Sequence, residues 1–137
     1  MNMGKGLDYL LVNPSTSKVY QEDQEKSNYP SLEPPYLAAS VAGFLRERGY
    51  DVGVLDSNTE RLGLKGSLDR VVDFDPKFVH IVVHGNQPSA SSQLMDWVGD
   101  FCTDIKNSGI KSQIVLTGTH PSGLPRRTLM EEKCDFV

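Results

Sequence analysis

At 137 residues the chain has the length of one domain, enough to bury most of its apolar surface and too short for two independent cores. Its 38% hydrophobic and 23% charged residues, with a net charge of −4, are those of an ordinary globular protein and speak against disorder and against a basic nucleic-acid face. The N-terminal apolar run is too short for a signal peptide, nothing approaches the roughly 18 apolar residues of a membrane span, and Cys102 and Cys134 lack the spacing of a zinc site or disulfide framework, so a cytoplasmic protein without a membrane partner is expected.

Residues 7–12 (LDYLLV) form a short apolar run stopped by Asn13-Pro14, which reads as a buried strand ending in a turn. Residues 15–33 carry little periodicity, and a connection of that length inside a compact domain is usually functional or disordered. Pro34-Pro35 open a helix with Leu37, Val41, Phe44 and Leu45 on one face and Gly49 as its stop. Residues 51–56 read as a second strand, and Leu64, Leu68, Val71 and Val72 mark a short helix that Ser67 can cap. A third strand over 78–83 ends at His84-Gly85-Asn86, after which Leu94, Val98, Phe101 and Ile105 recur at helical spacing up to Gly109. The fourth strand is 113–116, followed by TGTHPSG and a helix-like LPRRTLMEEK; residues 134–137 begin a fifth.

Short, continuously apolar strands alternating with helices predict a parallel sheet covered on both faces. The expected class is α/β, a flavodoxin-like (Rossmann-like) three-layer sandwich with a parallel five-stranded sheet in the order 2-1-3-4-5. Ligands of such sheets bind outside the carboxyl ends of the strands. The candidate binding residues therefore come from three loops: Asn13, Pro14, Ser15 and Thr16, with Ser17 beyond them; His84, Gly85, Asn86 and Ser89; and Thr117, Gly118, Thr119, His120 and Ser122. Each also has a purely structural reading. Ser15 to Ser17 can form a turn, Ser89, Ser91 and Ser92 are good helix caps, and His84 and His120 can bond backbone at strand ends. His80 reads as a satisfied core or helix-facing histidine, Asp56 as a turn acceptor, and Met95 and Trp97 as part of a helical core stripe.

No nucleophile-base pair and no metal cluster is visible, so no catalytic or metal-ligating residue is assigned, and the chain by itself is expected to be folded, monomeric and catalytically silent. A receiver domain would need acidic residues after strand one and a lysine after strand four, where this chain has Asn13-Pro14 and Thr117. A flavodoxin phosphate cradle is poorly served by Pro14, and no Walker loop or G-x-G-x-x-G occurs. A fifth strand without a closing helix leaves part of one sheet face uncovered, which leads to the expectation that residues 1–137 are an excised N-terminal piece of a larger protein.

The order Asn13-Pro14, then Pro34-Pro35-Tyr36-Leu37-Ala38-Ala39 on a helix ending Arg46-Glu47-Arg48-Gly49-Tyr50, then Val52-Gly53-Val54-Leu55-Asp56, resembles the N-terminal cobalamin-binding domain of cobalamin-dependent radical SAM enzymes. Asp75-Pro76-Lys77-Phe78, Ile114-Val115-Leu116-Thr117-Gly118-Thr119-His120-Pro121 and Cys134-Asp135-Phe136-Val137 continue the resemblance over nearly all of the chain. It implies cobalamin on this domain, with a parent enzyme using S-adenosylmethionine and an iron-sulfur cluster on a downstream radical SAM domain as partner, for methyl transfer or related radical chemistry. The CxxxCxxC triad of that second domain is absent here. Thr117 stands where the family often has a first glycine, and His120 matches its Gly-x-His position. The D-x-H-x-x-G loop of methionine synthase-type domains is also missing, since residues 13–29 hold neither histidine nor glycine. The resemblance thus implies weak, base-off cobalamin without a cobalt-bound histidine from the first loop. The alternative is a cobalamin-like domain that has lost its cofactor and serves as a docking or scaffold domain.

Overall fold

Each short apolar run becomes a strand, and each run with helical spacing packs as a helix between two of them. The computed structural model describes residues 6–16, 34–85 and 88–137; Ser17, Asn86 and most of the long first connection lie outside them. In chain order the elements are β1 (Tyr9–Asn13), α1 (Tyr36–Arg46), β2 (Val52–Asp56), α2 (Leu64–Phe74), β3 (Phe78–Val83), α3 (Pro88–Asn107), β4 (Gln113–Gly118), α4 (Thr119–Gly123) and α5 (Pro125–Glu131). All pairings are parallel and the strand order is β2-β1-β3-β4.

The expected five-stranded sheet is corrected to four strands. Residues 134–137 do reach the free edge of β4, but they pair only through the isolated parallel bridge Val115–Phe136. The reason is local: the Asp135 carboxylate accepts the Ile114 N–H at 2.7 Å, taking the donor that a longer ladder would give to the carbonyl of Cys134.

Period-two alternation sorts the strand residues onto two unequal faces. Leu10, Val12, Leu55, Val79, Ile81, Val83, Ile114 and Leu116 point to one side, where Val71 of α2 and Leu94, Val98, Phe101 and Ile105 of α3 close the main core. Leu11, Val52 and Val82 point to the other, covered by Ala38 and Ala42 of α1 with Leu37, Val41 and Leu45 beside them. Phe44, expected on that face, is exposed and carries the Arg48 guanidinium 3.4 Å above its ring. Ser67 is not a cap, because α2 begins at Leu64 and the buried Ser67 hydroxyl donates to Ser57 Oγ at 2.9 Å. Val72 also faces solvent.

Candidate functional site

β1 sits between β2 and β3, so the chain leaves it toward one edge and returns on its other side; the crevice above such a reversal is where ligands of doubly wound sheets bind. A cleft of about 300 Å³ opens there. The carboxyl end of β1 contributes Asn13, Pro14 and Thr16, that of β3 contributes Val82, His84 and Gly85, and Asn58 follows β2. One wall is the start of α1, with Pro34, Pro35, Tyr36, Leu37 and Ala38; the other is the first turns of α3, with Ala90, Gln93 and Leu94. Among the described residues no carboxylate, lysine or arginine lines it.

The floor is held in place by side chains that bond across the strand ends. Asn13 Nδ2 donates to Asp56 Oδ1 at 2.8 Å, and the same oxygen accepts the Thr59 N–H at 3.1 Å, so Asp56 serves as a turn acceptor that also orients the Asn13 amide. Thr16 approaches Asn58 Oδ1 through both its N–H and its hydroxyl, at 3.4 and 3.3 Å. Ser15 is fully buried beneath them. The end of β3 is fixed just as firmly. The His84 N–H donates back to the Val82 carbonyl at 3.0 Å, the Ser91 hydroxyl donates to the Val83 carbonyl at 2.7 Å, and a Cβ on Gly85 would collide with Ala90. Gly85 is therefore required for the close approach of the β3 end to α3.

The third loop lies along the next strand end. Thr117 and Gly118 complete β4, Thr119, His120 and Ser122 form the short α4, and none of the five lines the cleft. Gly118 has φ +130°, and a Cβ there would run into the Val83 carbonyl oxygen, so its backbone is pressed against β3. The His120 N–H donates to Ser91 Oγ at 3.0 Å while His120 Nδ1 meets Ser92 Oγ at 2.8 Å, tying α4 to the start of α3. Ser89 is exposed on the first turn of α3, and Asn86 lies outside the described residues.

Of the three histidines, His80 and His120 have hydrogen-bond partners. His80 Nε2 meets Thr117 Oγ1 at 2.8 Å on the thinly covered sheet face, where burial lowers its pKa below the ordinary 6.5. His84 is half-buried at the cleft wall with Tyr36 edge-on to its ring, centroids 6.3 Å apart. Among the described residues neither of its ring nitrogens has a hydrogen-bond partner. Burial raises both cysteine pKa values, most strongly for Cys102, so neither thiol is an activated nucleophile. Among the described residues no cluster of three metal-ligating side chains exists, and no helix is long and apolar enough to cross a membrane.

Reasoning from strand ends found Asn13, Pro14, Thr16, His84 and Gly85 but missed Tyr36, Leu37, Ala38, Asn58 and Gln93. The signal for the first three was present in the Pro34-Pro35 helix start, which faces the same strand ends.

The arrangement suits part of a large neutral cofactor better than a small charged substrate. It offers amide and hydroxyl groups, an apolar wall and an imidazole unengaged among the described residues. Its volume of about 300 Å³ is that of a small-molecule pocket. Among curated proteins none matches the chain. A solved structure described as "Crystal Structure of TesA" is 18% identical, with 93% of this chain and 76% of that chain covered and a TM-score of 0.47. A family model described as B12 binding domain matches residues 27–137, which is 111 of the 137 residues, and the chain belongs to the B12-binding domain family.

Proposed function

We propose that this domain holds cobalamin over the carboxyl ends of β1, β3 and β4, with part of the nucleotide tail in the cleft, as the cobalamin-binding module of a radical SAM enzyme. The observation that carries the reading is the cleft at the β1–β3 reversal, lined among the described residues by no carboxylate, lysine or arginine, in a member of the B12-binding domain family. Asn13, fixed by Asp56, and Thr16, fixed by Asn58, present polar groups to the tail and rim, while Tyr36, Leu37 and Ala38 exclude water from one side. Thr117, Gly118, Thr119, His120 and Ser122 border the neighbouring part of the macrocycle. Bound cobalamin supplies methyl transfer or related radical chemistry; the residues of this chain bind and orient it and supply no nucleophile. S-adenosylmethionine and the iron-sulfur cluster belong to the partner radical SAM domain of the resemblance.

Hydroxocobalamin titrated into the 137-residue chain should shift backbone NMR signals at Asn13 to Thr16, Tyr36 to Ala38 and His84 to Gly85. Ala38→Phe, which fills the apolar wall, should remove most of these shifts. If millimolar cobalamin leaves these signals unmoved, the docking-domain reading replaces this one. The radical SAM assignment is tested separately by sequencing the full-length transcript, where absence of a CxxxCxxC would overturn it.

A further inference from the structure

The three histidines differ in one respect that the sequence does not display. His80 is bonded to Thr117 Oγ1 and His120 to Ser92 Oγ, each at 2.8 Å, whereas His84 has both ring nitrogens unengaged among the described residues. An imidazole at a protein surface loses little by lacking partners, but His84 is half-buried in the wall of the cleft. Its backbone is also constrained on both sides: its own N–H returns to Val82, Ser91 fixes the Val83 carbonyl, and Gly85 abuts Ala90. Tyr36 stands edge-on to the ring at 85° and limits its swing. An imidazole nitrogen without a hydrogen-bond partner, in a cleft that among the described residues holds no carboxylate, lysine or arginine, is a donor available to a metal.

We infer that His84 is the axial nitrogen donor to cobalt when this domain holds cobalamin, the imidazole reaching the metal from the end of the third strand. This rests on the proposed cobalamin reading. The step is a ligand exchange: the tail base nitrogen leaves cobalt, a lone pair of the His84 imidazole takes the axial position, and no electron is transferred. His84 lacks a hydrogen-bonded partner on its other nitrogen, which in metal-bound histidines usually orients the ring. The bond is accordingly weak.

The test is electron paramagnetic resonance of cob(II)alamin bound to the 137-residue chain, made with natural and with ¹⁵N-labelled histidine. A nitrogen on cobalt splits each line into three with ¹⁴N and into two with ¹⁵N. The expected result is a doublet in the labelled protein, lost in His84→Ala and kept in His120→Ala, with the hydroxocobalamin-induced NMR shifts at Tyr36 to Ala38 kept in all three. Three outcomes overturn the inference while leaving the cobalamin reading intact. They are a triplet that survives labelling, which means the tail base stays on cobalt; no nitrogen splitting at all; and a doublet that survives His84→Ala. Absence of those NMR shifts in the wild-type chain at millimolar hydroxocobalamin overturns both readings.

Discussion

Two glycines test how local geometry sets stability. Gly118, at φ +130° and against the Val83 carbonyl, combines a conformation closed to other residues with a collision, so Gly118→Ala should destabilise by about 3 kcal/mol or more in urea unfolding. Gly43 lies exposed within α1 with nothing near its missing Cβ, and Gly43→Ala should instead stabilise by about 0.5–1 kcal/mol. A similar loss at both positions would show that the Gly118 contact has no special role. His80 gives a pH dependence of known sign. Burial lowers its pKa in the folded chain, so the unfolded chain binds the proton more readily. Stability should be full above the ordinary value of 6.5 and fall as pH drops through it toward the lower folded value. His80→Gln can keep a hydrogen bond to Thr117 and should flatten that decline between pH 8 and 5.5. The comparison also isolates His80 from Glu132, whose carboxyl pKa burial raises above 4.5 and whose contribution runs the other way. An unchanged slope in the variant would assign the decline to other groups.

At the scale of elements, Asp135 decides how the C-terminal segment is attached. Its carboxylate accepts from Ile114 N–H at 2.7 Å and from the Lys106 ammonium at 2.6 Å, while backbone bonds from Asp135 and Phe136 reach the Ile114 carbonyl. Asp135→Ala should cost about 1–2 kcal/mol, discounted because the ion pair is a third exposed. Amide exchange of Ile114 should accelerate while that of Val79 is unchanged; equal acceleration at both would mean global loosening and would count against a local anchor. The strand positions were legible because each is an apolar run bounded by turn residues, and α3 because Leu94, Val98, Phe101 and Ile105 are large and evenly spaced. The α1 face was less legible. Its packed residues include Ala38 and Ala42, which carry little apolar weight, whereas Phe44 one step round the helix stands out in sequence and lies outside in the fold. Ser67 misled for the opposite reason, a helix-capping residue type used three residues inside the helix to bond Ser57. Residues 134–137 do reach the expected edge without forming the expected fifth strand, and the capture of the Ile114 donor by a side chain is invisible to period and propensity.

For the whole molecule, two faces of one sheet have different roles. α2 and α3 seal one completely, whereas on the other α1 covers the β1–β2 side and leaves Phe78, His80, Val115 and Thr117 only half-buried. The topology located the carboxyl edge of the sheet from sequence, yet which helix start would wall the cleft depended on how α1 crosses that thinner face. Because hydrogen bonds across the strand ends fix the floor made by Asn13, Asp56, Thr16 and Asn58, binding should appear as stabilisation with little rearrangement there. A ligand that binds only the folded chain at a hundred times its Kd adds about 2.7 kcal/mol, which for a domain of this size raises the melting temperature by about 10 °C. Hydroxocobalamin should produce such a rise in wild type and a much smaller one in Ala38→Phe, whose own melting point serves as the baseline. Gly43→Ala, remote from the cleft, should show the full rise. A domain that keeps this fold only for docking would show none in any of them, and an equal rise in Ala38→Phe would place the ligand elsewhere than the cleft between α1 and β3.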